Sequence, residues 1–194
     1  MRPEQVKARE YFYQKGTALP PREIYDRVRV AFTATEEFLA RVSEAEVRQR
    51  PAPGEWCVQE VVDHLVESHR PSLEELRCLL RGERPEDGPV PASLQSRAPM
   101  NRAWSELVGD LRRLHAEILG LLGGVAEELT LKAKAPIVMV VNVKNPDGST
   151  SALQWIEDLD WKAYAAAIFR LHEIDHLKQA QRSLREVRSG AAEL

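Results

Sequence analysis

The stretch His172-Glu173-Ile174-Asp175-His176-Leu177-Lys178-Gln179 decides how the rest of the chain is read. Histidines four residues apart on a helix point the same way, so two imidazoles can share one metal ion. On a wheel of about 100° per residue, Trp161, Ala165, Ile168 and Phe169 fall on the side of His172. Ile156, Ala163, Ala167, Ile174 and Leu177 fall roughly opposite. A helix apolar on both sides is buried among neighbours. Histidines on such a face need partners for their ring nitrogens, because unpaired polar groups are costly out of water. A metal ion supplies them, and so do ordinary hydrogen bonds; the spacing leaves both open. Asp175 and Gln179 lie within about 60° of His172 on the same wheel. They are read either as partners that orient the rings or as a solvated carboxylate and amide.

Working outward, the motif helix is expected over residues 151–188, closed near Gly190. Before it, Ile137-Val138-Met139-Val140-Val141-Asn142-Val143 is rich in β-branched residues, and Asn145-Pro146-Asp147-Gly148 is a turn signal. A small hairpin with a short return strand, Ser149-Thr150-Ser151, is expected there. Three more helical stripes precede it. One covers residues 21–42 through Ile24, Val28, Phe32, Thr35 and Leu39. A second covers residues 56–80 through Val58, Val61, Val62, Leu65, His69, Leu73 and Leu76, with a kink or break expected near Arg70 because Pro71 follows. The third covers at most residues 94–122, with Pro99 near its first turn, and stops at Gly123-Gly124. The stretch 81–93, with three prolines and two glycines, reads as a long ordered loop. Residues 1–20 read as an N-terminal extension, a short helix docked on the core, and residues 21–190 as one domain. Four long amphipathic helices without βαβ alternation predict an all-α four-helix bundle with a small β-hairpin-like insertion before the last helix.

Composition sets the outer bounds. The chain has 194 residues, a net charge of -3 and 43% hydrophobic residues, which suits one globular unit. Its pI of about 6.0 argues against a nucleic-acid partner held by a large basic field. No apolar run approaches membrane-spanning length and none follows the N-terminal arginine, so no membrane partner and a cytoplasmic location are expected. Cys57 and Cys78 fit neither a metal-ribbon spacing nor a disulfide framework.

The remaining histidines are less informative singly. His64 lies beside the second stripe and alone reads as a boundary histidine. His115, on the third stripe, reads as a core or rim histidine, with membership of a site as the alternative. His69 reads as structural or exposed.

Together, Trp56-Cys57-Val58-Gln59-Glu60-Val61-Val62-Asp63-His64-Leu65 and the His172–Gln179 motif resemble the DinB/YfiT-like superfamily of bacterial metal-binding four-helix bundles. The first matches the family's Trp and His-Leu pattern, the second its closing His-x-x-x-His-x-x-Gln. The resemblance implies an up-down-down-up helix order with a long connection between the second and third helices. It implies a divalent metal ion, nickel or zinc, held by His64, His172 and His176, with Asp175 and Gln179 supporting the ligands. Relatives include thiol S-transferases, so the implied function is a metal-dependent enzyme joining a low-molecular-weight thiol to small electrophiles. The alternative is a non-catalytic metal- or ligand-binding, stress-related protein. A homodimer is expected in either case, and no separate catalytic residue stands out. Cys57 departs from the family's usual Ser or Thr helix cap, and residues 1–20 and 137–151 look like local elaborations able to cover the pocket.

Overall fold

Each apolar stripe finds its partner in the tertiary fold. The structure is a computed structural model that describes residues 2–144 and 147–191. Its long helices are α2 (Pro21–Leu39), α4 (Val58–Leu80), α5 (Trp104–Gly123) and a last one in three consecutive segments. Those segments are α6 (Trp161–Ala165), a π-helical stretch (Ala166–His172) and α7 (Glu173–Ala191). Both α2 and α4 pack against α5 and α7, which closes a four-helix bundle in up-down-down-up order. Short helices α1 (Pro3–Phe12) and α3 (Glu44–Val47) flank α2. Strands β1 (Ala135–Lys144) and β2 (Thr150–Leu159) pair antiparallel from Ala135↔Leu159 to Lys144↔Thr150. The turn residues Asn145 and Pro146 lie outside the described residues. No described helix is long and apolar enough to cross a membrane.

Three boundaries differ from the sequence reading. The last helix begins at Trp161, not near residue 151, because the return strand of the hairpin is ten residues long. Leu153, Trp155 and Leu159 alternate with exposed Gln154, Ile156 and Asp158, which is period two rather than 3.6. Ile156 is therefore exposed, not opposite His172 on a helix. Asp160 then caps the helix, its carboxylate accepting from the Lys162 and Ala163 amides. Helix α5 begins at Trp104, not near residue 94. Ala98, forced out of the helical region by Pro99, starts a single 3-10 turn at Pro99–Asn101. Finally, α4 runs unbroken through Pro71. Packing on both α5 and α7 outweighs the lost backbone bond, a cost of about 3 kcal/mol.

Cys57 sits at the N-cap of α4 in extended conformation, and the start is secured from the other side: the Glu60 carboxylate accepts the Cys57 amide at 3.0 Å. Both cysteines are free.

The N-terminal segment is a built part of the molecule. Phe12 is buried in the core with Tyr164 and Phe169. Arg9 pairs with Glu157 of β2 at 2.8 Å. A π turn at Tyr13–Thr17 brings Gly16 so close to α6 that a Cβ there would meet Ala163 Cα at 2.6 Å. Gly16→Ala is therefore expected to undock this segment or cost about 1–3 kcal/mol, read as a lower Tm and faster proteolysis near Thr17. A Tm equal to wild type would show that the segment is not held there.

Candidate metal centre

Three imidazoles converge where α4 faces the junction of the π stretch and α7. His64 comes from α4, His172 ends the π stretch, and His176 follows one turn later. One ring nitrogen from each lies within 4.8 Å of the others, and His64 Nε2 is 2.9 Å from His172 Nε2. His64 is fully buried. Trp56 covers the cluster, its ring centroid 5.4 Å from His64 and 6.4 Å from His176.

The other ring nitrogens set the tautomers. His64 Nδ1 donates to the Leu94 carbonyl at 2.7 Å, and His176 Nδ1 donates to Gln179 Oε1 at 2.8 Å. Each Nε2 is then a bare lone pair aimed into the cluster, the orienting arrangement typical of metal-bound histidine. His172 Nδ1 is buried with no hydrogen-bond partner among the described residues. Burial lowers all three imidazole pKa values, and mutual repulsion reinforces this at His172 and His176. His176 falls to about 4 and His172 well below the usual range, so the rings are neutral donors at pH 7. His172 Nε2 donates to His64 Nε2 at 2.9 Å, a proton an ion would displace, and three neutral, converging ring nitrogens fit a divalent ion of borderline softness.

The loop after α4 is tied down so that Leu94 can serve. Ser96 donates its amide and hydroxyl to buried Asp63, each at 2.8 Å, and Gln95 donates to the Glu60 carbonyl at 3.0 Å. Arg102 joins Asp63 to Glu67 and Asp110. Of the two residues expected beside the ligands, Gln179 bonds His176. Asp175 is exposed, 3.9 Å from Lys178, and no hydrogen bond joins it to a histidine ring among the described residues. The Leu94 carbonyl has no side-chain signature, so sequence reading passes over it.

A cavity of about 500 Å³ opens beside His172 and His176. Its walls include Tyr11 and Phe12 of α1, Ile137–Val141 of β1, and Ile168 and Leu171. The N-terminal segment and the hairpin thus do cover the pocket. Among the polar groups on its wall, Glu75 accepts a short hydrogen bond from the Tyr164 hydroxyl, and Ser68, Ser72 and Asp175 also line it. Burial raises the Glu75 pKa despite that bond. Glu75 was hidden in sequence as one of several acids on a charged helix.

The other two histidines are not peripheral. His69 is fully buried, not exposed, and with His115 and Glu173 it makes a second group of close-set donors. His115 donates from Nδ1 to Glu36 at 2.8 Å and stacks on Phe32 with ring centroids 3.7 Å apart.

A helical bundle with three inward-facing imidazoles is the class of fold and site seen here, and the comparisons identify the family behind the fold. The family model of the DinB superfamily matches residues 27–180, and the chain belongs to that superfamily. Among solved structures, it is similar to TT2238, a four-helix bundle protein, with 17% identity and a TM-score of 0.53, covering 84% of this chain and 99% of that one. It is also similar to YfiT from Bacillus subtilis, described as a probable metal-dependent hydrolase with an unusual four-helix bundle topology. That match has 16% identity and a TM-score of 0.53, covering 88% of this chain and 87% of YfiT. No curated protein sequence matches the chain.

Proposed function

We propose that the chain is a metal-dependent thiol S-transferase acting on small, neutral electrophiles, with the ion held by His64, His172 and His176. The observation that carries this reading is the convergence of three ring nitrogens at the wall of a largely apolar cavity of about 500 Å³. A divalent ion there, nickel or zinc, would acidify a coordinated thiol or water and leave open positions for it. The chain supplies the rest. Leu94 and Gln179 hold His64 and His176 in the ligating tautomer. The cavity walls exclude water and select apolar substrates. Glu75, its pKa raised by burial and its carboxylate held by Tyr164, is the carboxyl buried in that cavity and the candidate to give or take a proton.

Hydrolysis is the second reading. YfiT's description favours it, and so does the cavity lining, where no Lys or Arg appears among the described residues to grip an acidic thiol. Conjugation of a model electrophile, followed with and without low-molecular-weight bacterial thiols, separates the two. Thiol-dependent turnover that vanishes on chelation is the expected result. Metal-dependent ester cleavage without thiol would replace transfer by hydrolysis, and no metal-dependent turnover of either kind leaves a non-catalytic binding protein.

A further inference from the structure

All four bundle helices break their apolar stripe at one level. Toward one end, Phe32, Leu73, Leu76, Ile118 and Phe169 form one core cluster. Toward the other, Leu39, Leu65, Leu111 and Ala180 form a second. Between them in sequence, on α2, α4, α5 and α7 respectively, stand Thr35, His69, His115 and Glu173. Each is at least 98% buried: Thr35 is 2% exposed, His115 1%, and His69 and Glu173 0%.

These side chains face one another without bonding. Glu173 Oε1 lies 3.5 Å from His115 Nε2, and Glu173 Oε2 lies 3.5 Å from His69 Nε2. Charge-assisted hydrogen bonds are about 2.7–2.9 Å long, so both gaps are too wide. Both Glu173 oxygens, both His69 nitrogens, His115 Nε2 and Thr35 Oγ1 have no hydrogen-bond partner among the described residues. Folded proteins rarely leave even one such group unsatisfied, and here six meet in one layer. One ligand atom from each of His69, His115 and Glu173 lies within 4.8 Å of the others, with a carboxylate oxygen 3.5 Å from each ring nitrogen, which small side-chain shifts would bring to a shared ion. Ligand atoms around a tetrahedral zinc with bonds of about 2.0–2.2 Å stand roughly 3.3–3.6 Å apart. His115 is already oriented for the task, since Glu36 accepts from its Nδ1 at 2.8 Å and leaves Nε2 facing inward.

We propose that His69, His115 and Glu173 form a second divalent-cation site, closed and structural, that ties α4, α5 and α7 together at mid-bundle. The donor set, two imidazoles and one carboxylate, suits zinc or a similar ion. The site neighbours the three-histidine centre: Glu173 follows His172 in the chain, and the His69 and His172 rings are 6.3 Å apart. It uses none of that centre's ligands, so the two assignments stand or fall separately. Full burial removes it from substrate and makes stability its natural readout.

The test is zinc stoichiometry on stripped, reloaded full-length protein, by competition with a chromophoric chelator. Wild type is expected to take two equivalents. His69→Gln and Glu173→Gln should each take one, and His176→Ala should also take one. Zinc should raise the Tm of His176→Ala but not of the His69→Gln/His176→Ala double variant. A wild type that takes one equivalent, still taken by His69→Gln and lost in His176→Ala, overturns the second site. Failure of the first centre looks different, with one equivalent kept by His176→Ala and lost in His69→Gln. Because the buried variants could misfold, crystals of zinc-loaded wild type give an independent reading. An anomalous peak among His69, His115 and Glu173 supports the site, and its absence overturns it.

Discussion

Replacing His172 with alanine is expected to weaken zinc or nickel binding at the three-histidine centre by more than about 100-fold. Loss of a group that merely orients a metal ligand costs roughly 10–100-fold in affinity, and loss of a ligand exceeds that. His172 sits against both other members: its Nε2 lies 2.9 Å from that of His64, and its ring centroid is 4.4 Å from that of His176. Without it, two imidazoles on different helices remain, with no third donor from the histidine set. Gln179→Ala offers the graded comparison. It frees the His176 ring to rotate but leaves three ligands, so a loss of only about 10–100-fold is expected. Competition titration with a chromophoric chelator measures both. If His172→Ala binds as tightly as wild type, the ion does not sit among these histidines, and the enzymatic reading loses its footing.

Metal-free protein is expected to lose stability as pH falls below 6.5. Burial holds His69 at a pKa of about 3 and His176, helped by repulsion from His64, at about 4. His172 is also depressed well below the usual range, mainly by burial. In the unfolded chain these rings take up protons near pH 6.5, so unfolding gains protons that the native state refuses. The stability is present above 6.5 and is lost as pH falls toward the folded values. At pH 5 each strongly depressed ring costs at most about 2 kcal/mol. Glu75 acts with opposite sign, because a carboxyl raised by burial stabilises the fold as it protonates. His115 is held up by Glu173 and Glu36 against the effect of its burial; its contribution is complete below 6.5 and adds no slope there. The net fall from pH 7.5 to 5 is roughly 2–5 kcal/mol, or a Tm lower by about 5–15 °C for a chain of this size. Thermal melts with chelator present check this. A Tm unchanged across that range would mean that the rings are solvated and already protonated near pH 6.5.

The helices of the bundle were legible because burial imposes a 3.6-residue stripe that few other constraints disturb. The hairpin was only half legible. Val138 to Val143 announces a strand by composition, but Trp155, Ile156 and Leu159 also suit a helix, and only pairing with β1 picks period two. Pro71 was legible only in part: the local rule predicts a kink or a break, and contacts with two neighbouring helices keep α4 continuous. The His172–His176 pair and Gln179 could be read from spacing. Leu94 could not, since it acts through its backbone carbonyl, placed by Ser96 and Gln95.

By itself, then, the sequence determined which faces are buried and that two histidines point together, because both depend on the period of one helix. The tertiary structure alone decided what stands opposite them. It brought His64 to the pair from 108 residues away, closed the cavity with α1 and β1, and set Glu173 against His69 and His115. Glu173 shows the physical reason most plainly. In sequence it is an acid between two histidines, indistinguishable from a solvated residue such as Asp175. Only the packing of α2, α4 and α5 around it removes the water, and with the water its hydrogen-bond partners.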